Sequence, residues 1–434
     1  AWYARPATDF LPEDADLRGY ARSEFEPETD IMDVWFYSGV SHLAVLRSGE
    51  WPELVKDGDT TPADLYVEGH DQYRGWFQSS LLTSVALFDE APFEGVVTHG
   101  FVVDGSGRKM SKSLGNVIAP QDLIKRYGAD ILRLWVASVD YRDDDPISEE
   151  ILTRCAEAYR KLRNTARYLL SNLYDFQPAE ALPYGELHPL DRRVLRQTRK
   201  VARRVAEGYE SYEFHVVYHS LLGFCTTTLS AFYLDVIKDR LYASPAASRE
   251  RRSAQTALHR IARSLSTLLA PVLAFTAEEI WEGLPSPKEQ SVHLERFEAL
   301  EDLPEDSSSD PAWDRLMKLR DEVAVILEEA RREKVIGSSL EGAIRIGGAT
   351  ALDGDLQATG LGLDGLADFF IVSGLSLSAP REKSARASGV YEGLTLAFAP
   401  AEGRRCDRCW KVTPEAVADG LCERCRRALG EAAA

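Results

Sequence analysis

The stretch that decides the fold runs from residue 95 to residue 116 and reads GVVTHGFVVDGSGRKMSKSLGN. Its first part, 95–103, is an apolar run rich in valine that predicts a β-strand. The surrounding segments alternate in the same way, with a strand pattern at 64–68 and helical patterns at 76–87 and 120–136. Alternating strands and helices predict a parallel α/β sheet, in which ligands bind at the carboxyl ends of the strands.

The second part of the stretch, 108–116, is a loop in which Lys109 and Lys112 stand three residues apart among small hydroxyl residues. Two ammonium groups on such a loop can follow the charge that develops on a leaving pyrophosphate. A string of this kind taken alone is more often a basic surface turn. This one, however, matches the KMSKS signature of the class I aminoacyl-tRNA synthetases, together with the following Gly115-Asn116 and the segment YGADILR at 127–133.

The resemblance extends in both directions along the chain. The segments DVWFYSG at 33–39 and EGHDQYRGWF at 68–77 are similar to the catalytic core of the isoleucine, valine and leucine subgroup. KLRNT at 161–165, SAFYLD at 230–235 and TAEEIW at 276–281 resemble its helical anticodon-binding domain. The chain as a whole most resembles the bacterial isoleucine-specific members. That resemblance implies the ATP-dependent activation of isoleucine, with Mg²⁺ accompanying ATP, and its transfer to tRNA(Ile).

Candidate site residues follow from their chemistry and from this resemblance. Glu68, just past a strand end, offers only acceptors and suits a substrate ammonium group. Trp35 and Trp76 would line an apolar pocket for a branched side chain, although ordinary core packing is the alternative. The resemblance assigns the catalytic role to Lys109 and Lys112, and ATP or aminoacyl-adenylate binding to Glu68, Gly69, Asp71, Gln72, His99, Gly100, Met110 and Lys112.

Two departures from the family pattern stand out. Tyr37 occupies the place of the aspartate in Trp-Phe-Asp-Ser-Gly, which removes an expected polar group. No His-x-Gly-His motif occurs in the sequence, and the insert that hydrolyses mischarged tRNA is also missing. The chain, which begins without methionine, is therefore expected to be a piece of a longer polypeptide and inactive alone.

Four of the six cysteines form a metal-site pattern near the end of the chain. Cys406 and Cys409 form one CxxC knuckle, Cys422 and Cys425 form another, and twelve residues separate the two. This spacing predicts one structural, tetrahedral Zn²⁺ per chain, with a redox dithiol or unmetallated thiols as alternatives. Trp410 would either fill the core of this small module, the favoured interpretation, or offer a surface for base stacking.

The domain prediction combines these motifs with hydrophobic periodicity. Residues 1–147 would hold the second half of a Rossmann-like catalytic domain, and 148–300 an all-α anticodon-binding bundle. Residues 301–400 would hold a linker, a long helix at 312–334 and a small α/β appendage with strands at 343–346, 369–372 and 394–398. Residues 401–434 would form a zinc-bearing tail that contacts tRNA.

Composition narrows the class of protein. The 434 residues are 44% hydrophobic and 28% charged, and no apolar run approaches the ~20 residues of a membrane span, so we expect a protein without membrane contact. The family resemblance implies a cytoplasmic monomer. The net charge of −18 argues against a uniformly basic nucleic-acid-binding surface. Residues 154–204 and 403–427 are nevertheless net basic, which predicts local tRNA contacts. A portion of a valine-specific enzyme, or a non-catalytic tRNA-binding descendant, remain the alternatives.

Overall fold

The computed structural model describes residues 5–55, 62–286, 288–304, 308–378, 385–414 and 419–430. The chain divides into two compact units. The first contains 1–110 and 141–146, and the second contains 111–140 and 147–434. The first is built on a small parallel sheet, and the second is mainly helical.

The first unit has the predicted strand–helix–strand order. Strands β1 (Ala63–Gly69) and β2 (Phe93–His99) pair in parallel and are connected through helix α2 (Trp76–Phe88). Helix α1 (Val34–Gly39) starts where the Asp33 carboxylate accepts hydrogen bonds from two backbone N–H groups, which satisfies donors at the helix start. Strand β3 (Val102–Asp104) pairs with β4 (Asp145–Ile147).

The two-stranded parallel sheet leaves apolar side chains in contact with solvent. Val67 on β1 is 52% exposed and Val96 on β2 is 42% exposed. Parallel sheets normally have both faces covered, and the packing that encloses them usually comes from further strands and helices. Two strands and one connecting helix are too few to enclose this surface.

The second unit begins with α3 (Pro120–Tyr127) and α4 (Ala129–Ser138) and continues into the predicted helical region. Its helices are α5 (Glu149–Ser171), α6 (Pro189–Glu210), α7 (Phe214–Gly223), α8 (Leu234–Val236), α9 (Lys238–Ala243), α10 (Arg249–Leu269) and α11 (Ala274–Glu282). A π-helical stretch, Phe224–Tyr233, connects α7 to α8. We call α5 to α11 the bundle.

A buried polar cluster lies inside the bundle. The Asp191 carboxylate on α6 is fully buried and accepts from both Nη groups of Arg240, at 2.8 Å and 2.7 Å. It also accepts from the hydroxyls of Tyr233, at 2.9 Å, and Ser253, at 2.5 Å. Four donors from three segments of chain therefore converge on one charge, which fixes how those segments pack.

Residues 295–304 and 308–310, which we call the acidic strap, form ion pairs with α6 and α10. Within the strap, Glu301 pairs with Arg199 at 2.9 Å and with Arg203 at 2.7 Å. Asp310 at its end pairs with Arg196, at 3.2 Å, and Lys200, at 2.5 Å. Much of the basic run on α6 is therefore neutralised within the chain, so its charge is not a measure of nucleic-acid contacts.

The α/β appendage follows the strap. Helix α12 (Asp310–Arg332) packs on a four-stranded sheet of order β6–β5–β8–β7. The strands are β5 (Gly342–Gly347), β6 (Gly374–Ser376), β7 (Arg386–Ala387) and β8 (Thr395–Pro400), and the sheet is accompanied by α13 (Asp353–Thr359) and α14 (Leu363–Phe370). The strand predicted at 369–372 is wrong: Phe369 lies in α14, which ends at Phe370, and its ring packs against Trp313 and Phe232.

The chain closes with a small module made of β9 (Arg404–Arg405), β10 (Val412–Thr413) and α15 (Glu423–Ala428). Among the described residues, no helix is both long enough and apolar enough to cross a bilayer.

Candidate active site and metal centre

The carboxyl ends of β1 and β2 bring together four of the residues predicted to bind nucleotide, Glu68, Gly69, Asp71 and His99. Glu68 is opposite Thr98 in the strand register, and Gly69 is opposite His99. The His70 ring contacts the His99 carbonyl at 3.2 Å. A Cβ on Gly69 would lie 2.7 Å from an oxygen of the Asp71 carboxylate, so a larger residue here would displace that side chain.

The start of α2 holds Gln72, Trp76 and Trp35 close to one another. The Gln72 side-chain oxygen accepts from the backbone N–H of Trp76 at 3.0 Å, which satisfies a donor at the helix start. Trp76 stacks on Tyr66 with ring centroids 4.4 Å apart and donates its indole N–H to the Ser38 carbonyl. Trp76 therefore contributes to the packing of the unit, whereas Trp35 is 45% exposed and available to a ligand.

Gly100 lies at a crossing of two chain segments. Its N–H donates to the Tyr141 carbonyl at 2.8 Å, and a Cβ at this position would come within 2.2 Å of the Asp143 carbonyl oxygen. The next residue, Phe101, donates its N–H to the Asp144 carboxylate at 2.7 Å. Packing against 141–144 is thus sufficient to require glycine here.

The loop at 108–116, which we call the signature loop, is organised at its start by Asp104. This mostly buried carboxylate accepts from the N–H groups of Ser106, at 2.9 Å, and Arg108, at 3.0 Å. Beyond the turn, the Lys109 Nζ lies 3.7 Å from the centroid of the Phe101 ring. This cation–π contact holds the first lysine of the loop in place without neutralising its charge.

The rest of the signature loop belongs to the second unit and forms a closed turn. The Ser111 N–H donates to the Asn116 side chain at 2.9 Å, and Gly115, with φ of +65°, donates to the Lys112 carbonyl at 3.3 Å. Lys112 is exposed on this turn, and Met110 before it is half-buried. The second cation is therefore presented to solvent on an ordered backbone.

Helix α4 is tied to the bundle by two polar side chains whose role sequence reasoning missed. The Asp130 carboxylate accepts from the Thr276 N–H, at 2.8 Å, and hydroxyl, at 2.6 Å. The Arg133 guanidinium donates to the carbonyls of Val272, at 2.9 Å, and Pro271, at 2.6 Å. Both side chains lie in the motif at 127–133, but their hydrogen-bond partners are about 140 residues later, so the spacing alone does not identify those partners.

The four cysteines of the closing module form a compact cluster. Their sulfur atoms lie within 4.8 Å of one another, and the Cys409 and Cys422 sulfurs are 3.9 Å apart. Tetrahedral coordination with Zn–S bonds of about 2.3 Å places sulfurs about 3.8 Å apart, so the cluster fits a four-thiolate metal site. Burial opposes ionisation of Cys406, but N–H groups of the two knuckles outweigh it and lower the pKa of this thiol to about 6.

Trp410, next to a cysteine of the cluster, does not fill the core of the module as expected. Its side chain is 58% exposed, and its backbone has φ of +63°, which is uncommon for a bulky residue. Together with the exposed Tyr242, it lines a cleft of about 770 Å³ between the bundle, the appendage and the module. Two exposed aromatic rings at one cleft offer stacking surfaces for planar ligands.

Comparisons with known proteins place these features in a family. Residues 2–148 match the model for tRNA synthetases class I (I, L, M and V). Residues 191–346 match the model for the anticodon-binding domain of tRNA ligase. The two matches cover, respectively, the region of the strand edge and much of the bundle.

Individual relatives agree with the family models. An isoleucine–tRNA ligase of Geobacter sulfurreducens is 48% identical over 433 residues, 99% of this chain and 46% of the relative. One of Symbiobacterium thermophilum is 48% identical over 438 residues, 98% of this chain and 46% of the relative. A solved LeuRS–tRNA–LeuAMS complex of Agrobacterium radiobacter K84 shares the fold over 63% of this chain and 33% of its own, with TM-score 0.51 and 20% identity.

Proposed function

Because this chain belongs to the class I tRNA synthetases, and within them to the isoleucine–tRNA ligases, we propose that it carries part of the active site and the tRNA-binding region of an enzyme that joins isoleucine to tRNA(Ile). The observation that carries the proposal is the signature loop, whose two lysines stand on an ordered backbone after β3. Family resemblance further supports a monomer that works in the cytoplasm.

The proposed reaction has two steps. A carboxylate oxygen of isoleucine attacks the α-phosphorus of ATP, which forms isoleucyl-adenylate and releases pyrophosphate. A hydroxyl of the terminal ribose of tRNA then attacks the adenylate carbonyl and releases AMP. No covalent protein nucleophile is needed, so the contribution of the protein is positioning and electrostatic stabilisation.

Each site residue has a role in this proposal. Lys109 and Lys112 stabilise the negative charge that builds up on the departing pyrophosphate. Glu68 accepts from the ammonium group of isoleucine, and Trp35 covers the apolar side chain. The remaining strand-edge and loop residues bind the nucleotide: Gly69, Asp71, Gln72, His99, Gly100 and Met110. Mg²⁺ enters with ATP as part of the substrate.

The chain supplies only a share of the whole enzyme. It spans just under half the length of the curated relatives it matches, and its sequence has no His-x-Gly-His motif. The exposed apolar surface of the β1–β2 sheet would be covered by the remainder of the catalytic domain. We therefore expect the chain alone to bind tRNA weakly and not to exchange pyrophosphate into ATP. Robust isoleucine-dependent exchange by the chain alone would overturn this expectation.

Pyrophosphate exchange by a full-length ligase carrying this sequence tests the active-site proposal. Isoleucine should drive exchange far better than valine, and Lys112→Gln should lower the rate about 100-fold, as expected when one group that stabilises developing charge is removed. Lys125→Gln is the matched control, since Lys125 is an exposed lysine on α3, 4.0 Å from Asp122. A valine-driven reaction, or equal rates for the two variants, would contradict the proposal.

The closing module is proposed to bind one Zn²⁺ through its four cysteines and to contact tRNA through the cleft beside Trp410. Replacing both Cys406 and Cys409 with serine should then lower the charging of tRNA while adenylate formation stays nearly intact. Trp410→Ala should weaken tRNA binding, and Trp410→Phe should restore much of it, because stacking on an aromatic ring is worth about 1–3 kcal/mol per base. Equal losses of exchange and charging would contradict a role of the module in tRNA binding.

A further inference from the structure

Each CxxC knuckle carries an arginine between its cysteines, and both arginines contact the same bundle helix. Arg424 donates both Nη groups to the Asp239 carboxylate, at 2.5 Å and 2.6 Å. Arg408 donates to the carbonyls of Ala243, at 2.6 Å, and Tyr242, at 2.9 Å. These acceptors lie on α9, 165 to 185 residues earlier in the chain. The metal module is thus attached to the bundle through residues that sit inside its own metal-binding motif.

Arg408 immediately precedes Cys409, and Arg424 immediately precedes Cys425. The positive charge of each arginine also acts on a thiol of the opposite knuckle. Burial raises the pKa of Cys409 and of Cys425, and Arg424 and Arg408, respectively, oppose that rise. Four thiolates around Zn²⁺ leave a net charge of about −2, and the two arginines bring compensating positive charge to it. Groups in this position orient metal ligands and tune their affinity for the metal.

The carboxylate that holds Arg424 is itself enclosed. The side chain of Asp239 is only 18% exposed, and the Lys411 Nζ lies 3.7 Å from it and 2.5 Å from Asp368. Ala243, at the end of the same helix, belongs to one buried cluster with Cys406, Cys422 and Cys425. A charged network and an apolar contact therefore connect α9 directly to the sulfur cluster.

We propose that Asp239 is a positioning residue for the metal centre: it holds Arg424, the neighbour of Cys425 in the second knuckle, against α9, so that metal binding by the closing module and the order of α9 are coupled. Such coupling is reciprocal, because each partner must change the free energy of the other by the same amount. Loss of Asp239 lowers metal affinity, and loss of metal loosens α9. The inference rests on the metal part of the proposed function and is independent of the ligase reaction.

The first test measures metal affinity in the 434-residue chain. Asp239→Asn keeps the shape of the side chain and removes its charge, and the Zn²⁺ dissociation constant is obtained by competition with 4-(2-pyridylazo)resorcinol. Affinity should fall about 10- to 100-fold, the usual effect of removing a partner of a metal ligand. The Co²⁺ absorption spectrum should still report four thiolates. Asp235→Asn is the matched control, because Asp235 pairs with Lys238 at the bundle surface, at 2.7 Å.

A Zn²⁺ affinity of Asp239→Asn within twofold of that of the unaltered chain would overturn the proposal, as would an equal loss in Asp235→Asn. Failure of the unaltered chain to bind Zn²⁺ would refute the metal centre itself, and the inference with it. Neither result depends on whether isoleucine is activated, so the outcome for the ligase proposal stays separate.

The second test needs no variant and therefore does not depend on the folding of one. Hydrogen exchange is compared between the Zn²⁺-loaded chain and the same chain after chelation. Amides of α9 should exchange at least about 10-fold faster without metal, in line with the affinity change expected above, while those in the middle of α10 stay unchanged. Unchanged exchange in α9, or the same acceleration in both helices, would overturn the local coupling.

Discussion

Replacing Arg240 by methionine should reveal how strongly the buried charge of Asp191 constrains the bundle. Asp191 is fully buried, and the Arg240 side chain is only 9% exposed. Burial alone raises the pKa of Asp191, but the adjacent guanidinium outweighs it and holds this pKa below its ordinary value. The carboxylate is therefore charged in the folded protein because Arg240 is there.

The expected loss of stability follows from the groups that the substitution leaves in the core. Methionine fills much of the aliphatic volume of arginine, but it removes two charge-assisted hydrogen bonds and leaves a buried carboxylate with only two hydroxyl partners. Breaking a buried ion pair in this way costs about 3–5 kcal/mol. Arg249→Met is the control, because Arg249 and Glu186 form an exposed pair at 3.1 Å, and such pairs contribute about 0–1 kcal/mol.

Urea unfolding followed by helix ellipticity provides the assay, with each variant compared with the unaltered chain. The double variant Asp191→Asn with Arg240→Met should recover much of the loss, because no bare charge remains. The sign of the pH effect adds a second check. Without Arg240, burial should raise the pKa of Asp191 above its unfolded value, so acidification from pH 7 towards pH 4 should restore stability to the single variant. A loss below about 1 kcal/mol, or strictly additive effects in the double variant, would refute this reasoning.

Three further predictions follow from the packing. Burial lowers the pKa of His259 to about 4, so the folded state keeps this ring neutral. The free energy of unfolding should therefore fall between pH 6.5 and pH 4 by up to about 1.4 kcal/mol per pH unit. In urea unfolding, His259→Gln should make this dependence on pH weaker. Gly100→Ala should destabilise the first unit by more than about 2 kcal/mol, because the new Cβ would meet backbone at 2.2 Å. Gly95→Ala should have a mild effect, because its Cβ would lie 3.4 Å from the Leu65 side chain, and thermal unfolding distinguishes the two variants. Asp130→Asn, which weakens the contact between α4 and Thr276, should lower the melting temperature of the helical unit by a few degrees, and an unchanged melting temperature would argue against that contact.

Local sequence patterns were sufficient to predict most helices and strands. The predicted long helix at 312–334 corresponds to α12, and the predicted strand at 64–68 corresponds to β1, because hydrophobic periodicity reflects burial directly. The wrong strand prediction at 369–372 has a physical cause. A short apolar run is equally typical of a strand and of a buried helix end, and the tertiary contacts of Phe369 decide between them.

The residues of the candidate site also differ in whether the sequence alone could predict their roles. The cysteine cluster was predictable, because four ligands in two knuckles are encoded locally, and the structure brings the four sulfurs together. The roles of Asp130 and Asp239 were not predictable, since each acts through partners more than 140 residues away. The exposure of Trp410 was also not predictable from its position beside a cysteine, because a left-handed backbone directs it away from the module core.

The acidic strap also bears on how the proposed tRNA binding should respond to salt. Arginines already paired with carboxylates make few contacts with phosphates. They therefore displace few counterions from RNA when it binds. The slope of log affinity against log salt concentration should therefore be shallower than the basic residues of α6 suggest. The slope should instead depend on the cations that remain accessible to RNA, such as Lys161 and Arg167 on α5, both of which are exposed.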